Sequence, residues 1–228
     1  MSKNALDSIK NACIRWNCDR ILIDFPLQPP EFHDMFTKLY LYQHTREYSR
    51  CLYLDTDMII NEDAENPFEL YRNDELFYVV KDMQQTFLSK EIKDDFKKTT
   101  LCGPWYNECR RIIGENLNYE NYHDGFFNAG FLLYTPRKHD IIFERIVSVI
   151  PLLSDEYKKI HQVEQALINY VCMSTLKNKL HYIPMEWNYI DPPVLSENIK
   201  MLGNIYHFTG WRYQEYKSII EKFTLWKK

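Results

Sequence analysis

Short apolar runs of strand-like composition alternate with longer stretches of helical spacing along this chain, and that alternation restricts the fold more than any single motif. Ala5, Leu6, Ile9, Ala12, Cys13 and Trp16 recur at helical spacing, and ILIDF at 21–25 reads as a strand. Phe32, Met35, Phe36, Leu39 and Tyr40 are helical again. CLYLD at 51–55, FYVV at 77–80 and FLLYT at 131–135 are strand-like, and helical patterns return at 137–150 and 161–175. Strands separated by helices of this length imply βαβ units and a largely parallel sheet covered by helices on both faces, an α/β class. Residues 83–122 are polar and mixed, and read as an irregular insertion with one helix near 104–114. With 45% hydrophobic residues in 228, the chain can bury a core without disulfides or metal, and one domain over 1–228 is expected.

Charge removes several functions. The net charge is −4, with Lys and Arg dispersed among Asp and Glu, so no basic field exists to gather a phosphate backbone, and nucleic acid is not an expected partner. The six cysteines are spread through the sequence with no Cys-x-x-Cys pair, which argues against a zinc knuckle and a secreted disulfide framework and for reduced thiols in a cytoplasmic protein. No apolar run approaches the ~20 residues of a membrane span, and no signal-peptide profile is visible.

The most informative stretch is RCLYLDTDMII, residues 50–60. A buried strand is a costly place for unpaired charge, yet this one ends on Asp55 with Asp57 two positions on. Two carboxylates at a strand end can share a hard cation, Mn²⁺ or Mg²⁺, which relieves their repulsion and completes its shell with substrate phosphates. Isolated Asp-x-Asp patterns also arise by chance, with one acid in a turn and the other in solvent.

RCLYLDTDMIINEDAENPFEL, residues 50–70, resembles the metal-binding strand of GT-A glycosyltransferases, particularly the family containing glycogenin and bacterial retaining galactosyltransferases. FTKLYLYQHTREYSR at 36–50 is similar to the helix that precedes it, with Lys38 at a donor-contacting position. GFFNAGFLLYTPRK at 125–138, VEQALINY at 163–170, IPMEWNYI at 183–190 and IYHFTG at 205–210 resemble the family's later segments in the same order. The resemblance implies a GT-A fold, a nucleotide-sugar donor, a carbohydrate or glycoconjugate acceptor, and Mn²⁺ or Mg²⁺ held by Asp55, Asp57 and His207. It also implies donor contacts from Lys38, Asp55, Asn128, Ala129, Glu164, Gln165, Gly210 and Arg212, with Glu164 and Gln165 beside the reacting sugar. Arg212 stands where the family commonly has a lysine, and Glu164 where it has an aspartate. The family's opening strand, which holds the nucleotide base, has no visible counterpart before the helix at 2–16.

Each match also has a reading of its own. His207 ends a short apolar run and can bring imidazole to a cation, or serve as a satisfied structural residue. Asn128, beside Ala129 and Gly130, can meet sugar hydroxyls, or mark a bulge before the strand at 131–135. Lys38 can reach a phosphate or snorkel to solvent. Glu164 and Gln165 open a helix, whose first turn favours acidic charge. Trp187 offers a face to a sugar or fills core. The reading is a metal-dependent hexosyltransferase using a nucleotide sugar, expected to be a UDP-sugar and expected to retain configuration. A weak or inactive GT-A domain that binds a sugar or protein, and a metal-dependent nucleotidyltransferase, remain the alternatives.

Overall fold

The computed structural model describes residues 3–82, 103–114, 117–159, 163–190 and 203–208. Its strands are β1 (Cys51–Leu54), β2 (Met58–Ile60), β3 (Phe77–Lys81), β4 (Phe127–Tyr134), β5 (Leu180–Ile183), β6 (Tyr189–Ile190) and β7 (Ile205–His207). They form a four-stranded sheet in the order β1-β4-β3-β5 and a three-stranded sheet in the order β2-β7-β6. The described α-helices are α1 (Lys3–Trp16), α2 (Thr37–Tyr40), α3 (Tyr42–Thr45), α4 (Pro67–Leu70), α5 (Gly103–Ile113), α6 (Tyr119–Asp124), α7 (Pro136–Val149), α8 (Asp155–Lys158) and α9 (Val163–Leu176). The α/β class stands. None of the described helices is long and apolar enough to cross a membrane.

Among the described strands the sheets are mixed rather than largely parallel. β4 runs antiparallel to both β1 and β3, and β2 antiparallel to β7; of the described pairs, β3 with β5 and β6 with β7 are parallel. Alternating strands and helices reveal that crossovers exist, whereas pairing partners depend on long-range packing. β4 follows the insertion rather than a simple crossover, and enters the sheet between β1 and β3 in the opposite sense. Residues 21–25 likewise form no strand. Ile21, Leu22 and Phe25 are 43%, 42% and 53% exposed, so the apolar run has no sheet to join among the described residues. Within 83–122, α5 and α6 account for 103–113 and 119–124, and residues 83–102 lie outside the described residues.

β4 is buried along its whole length because both faces are covered. Tyr134, Leu132 and Ala129 belong to a large cluster with α7 and α9, while Phe131 and Leu133 pack with Trp187, Met58 and α1 on the other face. The ladder with β3 is irregular. Val79 pairs with Leu132, but the next residue, Val80, pairs with Asn128, so Ala129, Gly130 and Phe131 bulge out of the pairing. That irregularity sits directly under the candidate site.

Behind it, α9 is buried from Val163 to Cys172, as a helix apolar on nearly all sides must be. Its one deeply placed amide is fully used. Asn169 is 0% exposed, its Oδ1 accepting from Phe127 N–H at 2.8 Å and its Nδ2 donating to Phe127 O at 2.8 Å and Gln165 O at 2.9 Å. Asn169→Ala would strand both Phe127 backbone groups, and we predict a loss of about 2–4 kcal/mol of stability in urea unfolding. Stability unchanged within error would mean that water replaces the amide there.

Candidate active site

The two aspartates meet the rest of the site because the backbone around them is fixed on both sides. Leu54 pairs with Phe131, and Asp55 N–H donates to Gly130 O at 2.9 Å. A tight turn follows, closed by Met58 N–H donating to Asp55 O at 3.3 Å. The chain then enters β2, where Met58 lies opposite His207, and Phe208 N–H donates to Asp57 O at 3.1 Å. Cross-strand pairing thus brings His207 to the aspartates.

His207 Nε2 lies 3.2 Å from Asp57 Oδ1 and 3.9 Å from Asp55 Oδ2. One donor atom from each of the three lies within 4.8 Å of the others, the one such group among the described residues. The imidazole is oriented from behind. Asn188 Nδ2 donates to Asn128 Oδ1 at 2.9 Å, so Asn188 Oδ1 accepts from His207 Nδ1–H at 3.1 Å and leaves Nε2 toward the carboxylates. Gly130 N–H donates to the same Asn128 oxygen at 2.8 Å. A Cβ at Gly130 would come within 2.7 Å of His207 Cε1 and 2.8 Å of Asn128 Oδ1 and Met58 Cε, so only glycine lets β4 pass this close.

Lys38 provides the buried positive charge. Its Nζ is 3.0 Å from Asp55 Oδ1 and 3.5 Å from Glu164 Oε1, and Tyr53 OH donates a short hydrogen bond to Asp55. Burial disfavours charge on all these groups, but the Lys38 ammonium and then His207 hold the Asp55 pKa below the usual carboxylate value. Burial likewise opposes charge on Lys38, and Asp55, Tyr53 and Glu164 outweigh it and raise its pKa. For Glu164 burial wins over Lys38 and the pKa is raised; neither carboxylate oxygen, at 1% residue exposure, has a hydrogen bond of good geometry.

The donor set fits a divalent cation. Asp57 Oδ1 is buried and accepts no well-formed hydrogen bond, and two carboxylates with one imidazole suit Mn²⁺ better than Mg²⁺. Burial opposes protonation of the imidazole, and the hydrogen bond and charge of Asp57, then the charge of Asp55, raise its pKa above the ordinary value.

Of the other residues singled out in the sequence, Asn128 is turned to Asn188 and Gly130, and Ala129 N–H donates to Gln165 Oε1 at 3.1 Å. Gln165 Nε2 stands 3.5 Å from Asp82 Oδ2. Gly210 and Arg212 lie outside the described residues. Trp187, 2% exposed, packs on Tyr71 and Phe131 and is core rather than a sugar platform. Asn188, Tyr53 and Asp82 escaped the sequence reading. Asn188 was signalled by its place beside Trp187, whereas Asp82 follows FYVVK as a single acid after a strand and gives no pattern of its own.

A raised carboxyl pKa has a definite sign. Unfolded Glu164 ionises near 4.5 but the folded group holds its proton to higher pH, so unfolding gains from ionisation as pH rises above 4.5. The isosteric Glu164→Gln should therefore raise the melting temperature near neutrality and give no gain below pH 4.5. A pH-independent shift would remove burial of the charge as the cause.

Comparison with solved structures defines the class first. The bifunctional glycosyltransferase WbbM superposes with a TM-score of 0.51 at 18% identity, over 82% of this chain and 35% of that one. This chain has a glycosyltransferase fold of the GT-A kind, and spans about a third of WbbM. The galactosyltransferase LgtC, with donor and acceptor sugar analogues, gives a TM-score of 0.42 at 14% identity over 87% of this chain and 70% of that one. Mouse xyloside xylosyltransferase 1 gives 0.45 at 14% identity over 78% and 65%. No curated protein matches the sequence. The model of glycosyl transferase family 8 matches residues 5–218, and the chain belongs to that family.

Proposed function

We propose that this chain, as one domain over 1–228, transfers a hexose from a UDP-sugar to a carbohydrate or glycoconjugate acceptor in the cytoplasm, with Mn²⁺ at Asp55, Asp57 and His207. The observation that carries this reading is the convergence of those three donor atoms beside the buried Lys38 at the end of β1. Bound there, the cation would neutralise charge on the departing diphosphate. Lys38 holds Asp55 in its ionised form and adds positive charge where the diphosphate would lie. Asn188 and Asn128 fix the face that His207 presents. Glu164 and Gln165 would orient the donor sugar, with Ala129 beside them, and Gly210 and Arg212 would complete the diphosphate contacts.

The test is release of UDP from a panel of UDP-sugars in the presence of Mn²⁺, together with calorimetry of UDP binding. We predict Mn²⁺-dependent binding that Asp57→Asn weakens at least about tenfold, because one carboxylate leaves a hard cation under-coordinated. Unchanged affinity would reduce the pair to a surface feature. Binding without turnover on any donor would instead favour the binding-module reading.

The groups at hand support retention of configuration. An inverting transfer needs a base on the face opposite the leaving group, and Asp124, with its side chain 75% exposed beside His123, is a poor one. A front-face reaction needs less: the departing phosphate oxygen takes the acceptor proton, and neutral dipoles such as the Gln165 amide stabilise positive charge at the anomeric carbon. We predict that the donor's α-configuration persists in the product and that Gln165→Ala lowers turnover more than donor binding. Proton NMR of the first product reads the anomeric coupling directly. A β-linked product would overturn retention and direct the search for a base to Asp82, Asp124 and Glu186.

A further inference from the structure

Two of the cysteines that are separated in the sequence meet at the C-terminal end of α1. Asn17 is left-handed, with φ of +50°, and its N–H donates to Ile14 O at 3.3 Å while Cys18 N–H donates to Cys13 O at 3.0 Å. These two bonds define a Schellman motif, in which the residue after the left-handed one contacts the side chain five positions earlier. Cys13 and Cys18 occupy those places. One backbone hydrogen bond between them corresponds to the separation that a disulfide bridges, about 4.4–6.8 Å between Cα atoms.

We propose that Cys13 and Cys18 form a reversible dithiol–disulfide site, oxidised by small disulfides of the glutathione type, at the rim of the cleft that holds Lys38, Asp55 and Asp57. Both thiols are half-buried and unpaired, and they line one cleft of about 1210 Å³ together with those three residues. The end of α1 is pinned, by Trp16 Nε1 donating to Ala64 O at 3.3 Å and Asn66 Nδ2 donating to Trp16 O at 3.4 Å, so the pairing is built into the fold.

The chemistry distinguishes the two sulfurs. A hydrogen bond from Cys18, and with it the charge of Arg20, lowers the Cys13 pKa to about 7 against burial and Asp19. Cys13 is then substantially thiolate at neutrality, the form that attacks a disulfide. The same bond first, and burial next, raise the Cys18 pKa, and the part that Cys13 causes goes once Cys13 is no longer a thiolate. The remaining charged group lining this end is Lys10. By contrast burial pushes Cys51 up to about 11 and raises Cys109 and Cys172 as well. In the first step Cys13 attacks the small disulfide, forming a mixed disulfide and releasing one thiolate. Cys18 then loses its proton to solvent and attacks the Cys13 sulfur, forming the internal disulfide and releasing the second thiolate. The protein loses two hydrogens, and one small disulfide becomes two thiols.

The experiment equilibrates the full chain with mixtures of reduced and oxidised glutathione, caps free thiols and maps peptides by mass spectrometry. Arg15 lies between the cysteines, so trypsin separates them unless they are joined. We expect a Cys13–Cys18 cross-linked peptide that reduced glutathione reverses. In Cys18→Ser we expect glutathione retained on Cys13 at about tenfold the level on Cys51. Separate adducts without the cross-link in the wild-type chain, or oxidation no greater at this pair than at Cys51, would overturn the proposal. The wild-type map decides the matter even where the serine variant fails to fold.

Discussion

An ionised carboxylate at the half-buried end of β1 has to be compensated, and the arrangement of the site follows from how Asp55 is compensated. Lys38 reaches it from α2, Tyr53 from two residues earlier in the chain, and His207 from the paired strand β7. Two elements distant in sequence, α2 and β7, are thus tied to one carboxylate. Glu164 lies on the other side of the same lysine with its carboxyl pKa raised by burial, so Lys38 and His207 are what balance Asp55 and Asp57. Such a cluster of carboxylates around a buried lysine and an imidazole is costly as a purely structural device. It suits a site that spends part of its life occupied.

The neutral part of the site is as constrained as the charged part. Asn188 and Asn128 form a relay from the imidazole to the bulge in β4, Gln165 fastens the bulge to α9 at Ala129, and Asn169 fastens the strand just before it at Phe127. Every one of these amides is buried and hydrogen-bonded, as buried amides must be. The bulge gives the sheet an uneven segment, and the relay and Gly130 together hold that segment in one conformation. Packing supplies the floor: α9, apolar on nearly all sides, leaves no room for the bulge to retreat.

Much of this was legible in the sequence, for identifiable reasons. Asp55 and Asp57 stand out because strand-like residues run directly into them, and His207 because a short apolar run ends on it. A bulge was one of two readings of the small residues at 128–130, though it lies inside β4 rather than ahead of the strand. What stayed hidden depends on three-dimensional partners. Asn188 and Asp82 act through hydrogen bonds that leave no periodicity, and strand direction is decided by neighbours that the sequence does not name. The run at 21–25 has a strand's composition but no partner among the described residues, and composition alone cannot supply one. Cys13 and Cys18 were likewise unremarkable at their spacing until the left-handed Asn17 folded one back on the other.

The pairing of β2 with β7 has a consequence for how the protein is made. Met58 faces His207 across that ladder, so the two aspartates emerge from the ribosome long before the strand that completes their surroundings. Until then β2 presents an unpaired edge and Asp57 lacks its imidazole, while Lys38, made earlier, can already shield Asp55. Synthesis from the N-terminus thus assembles the acidic half of the site first and closes it only near the end of the matched family region. In a nascent chain of this protein the edge of β2 therefore stays without β7 during the interval between those two strands.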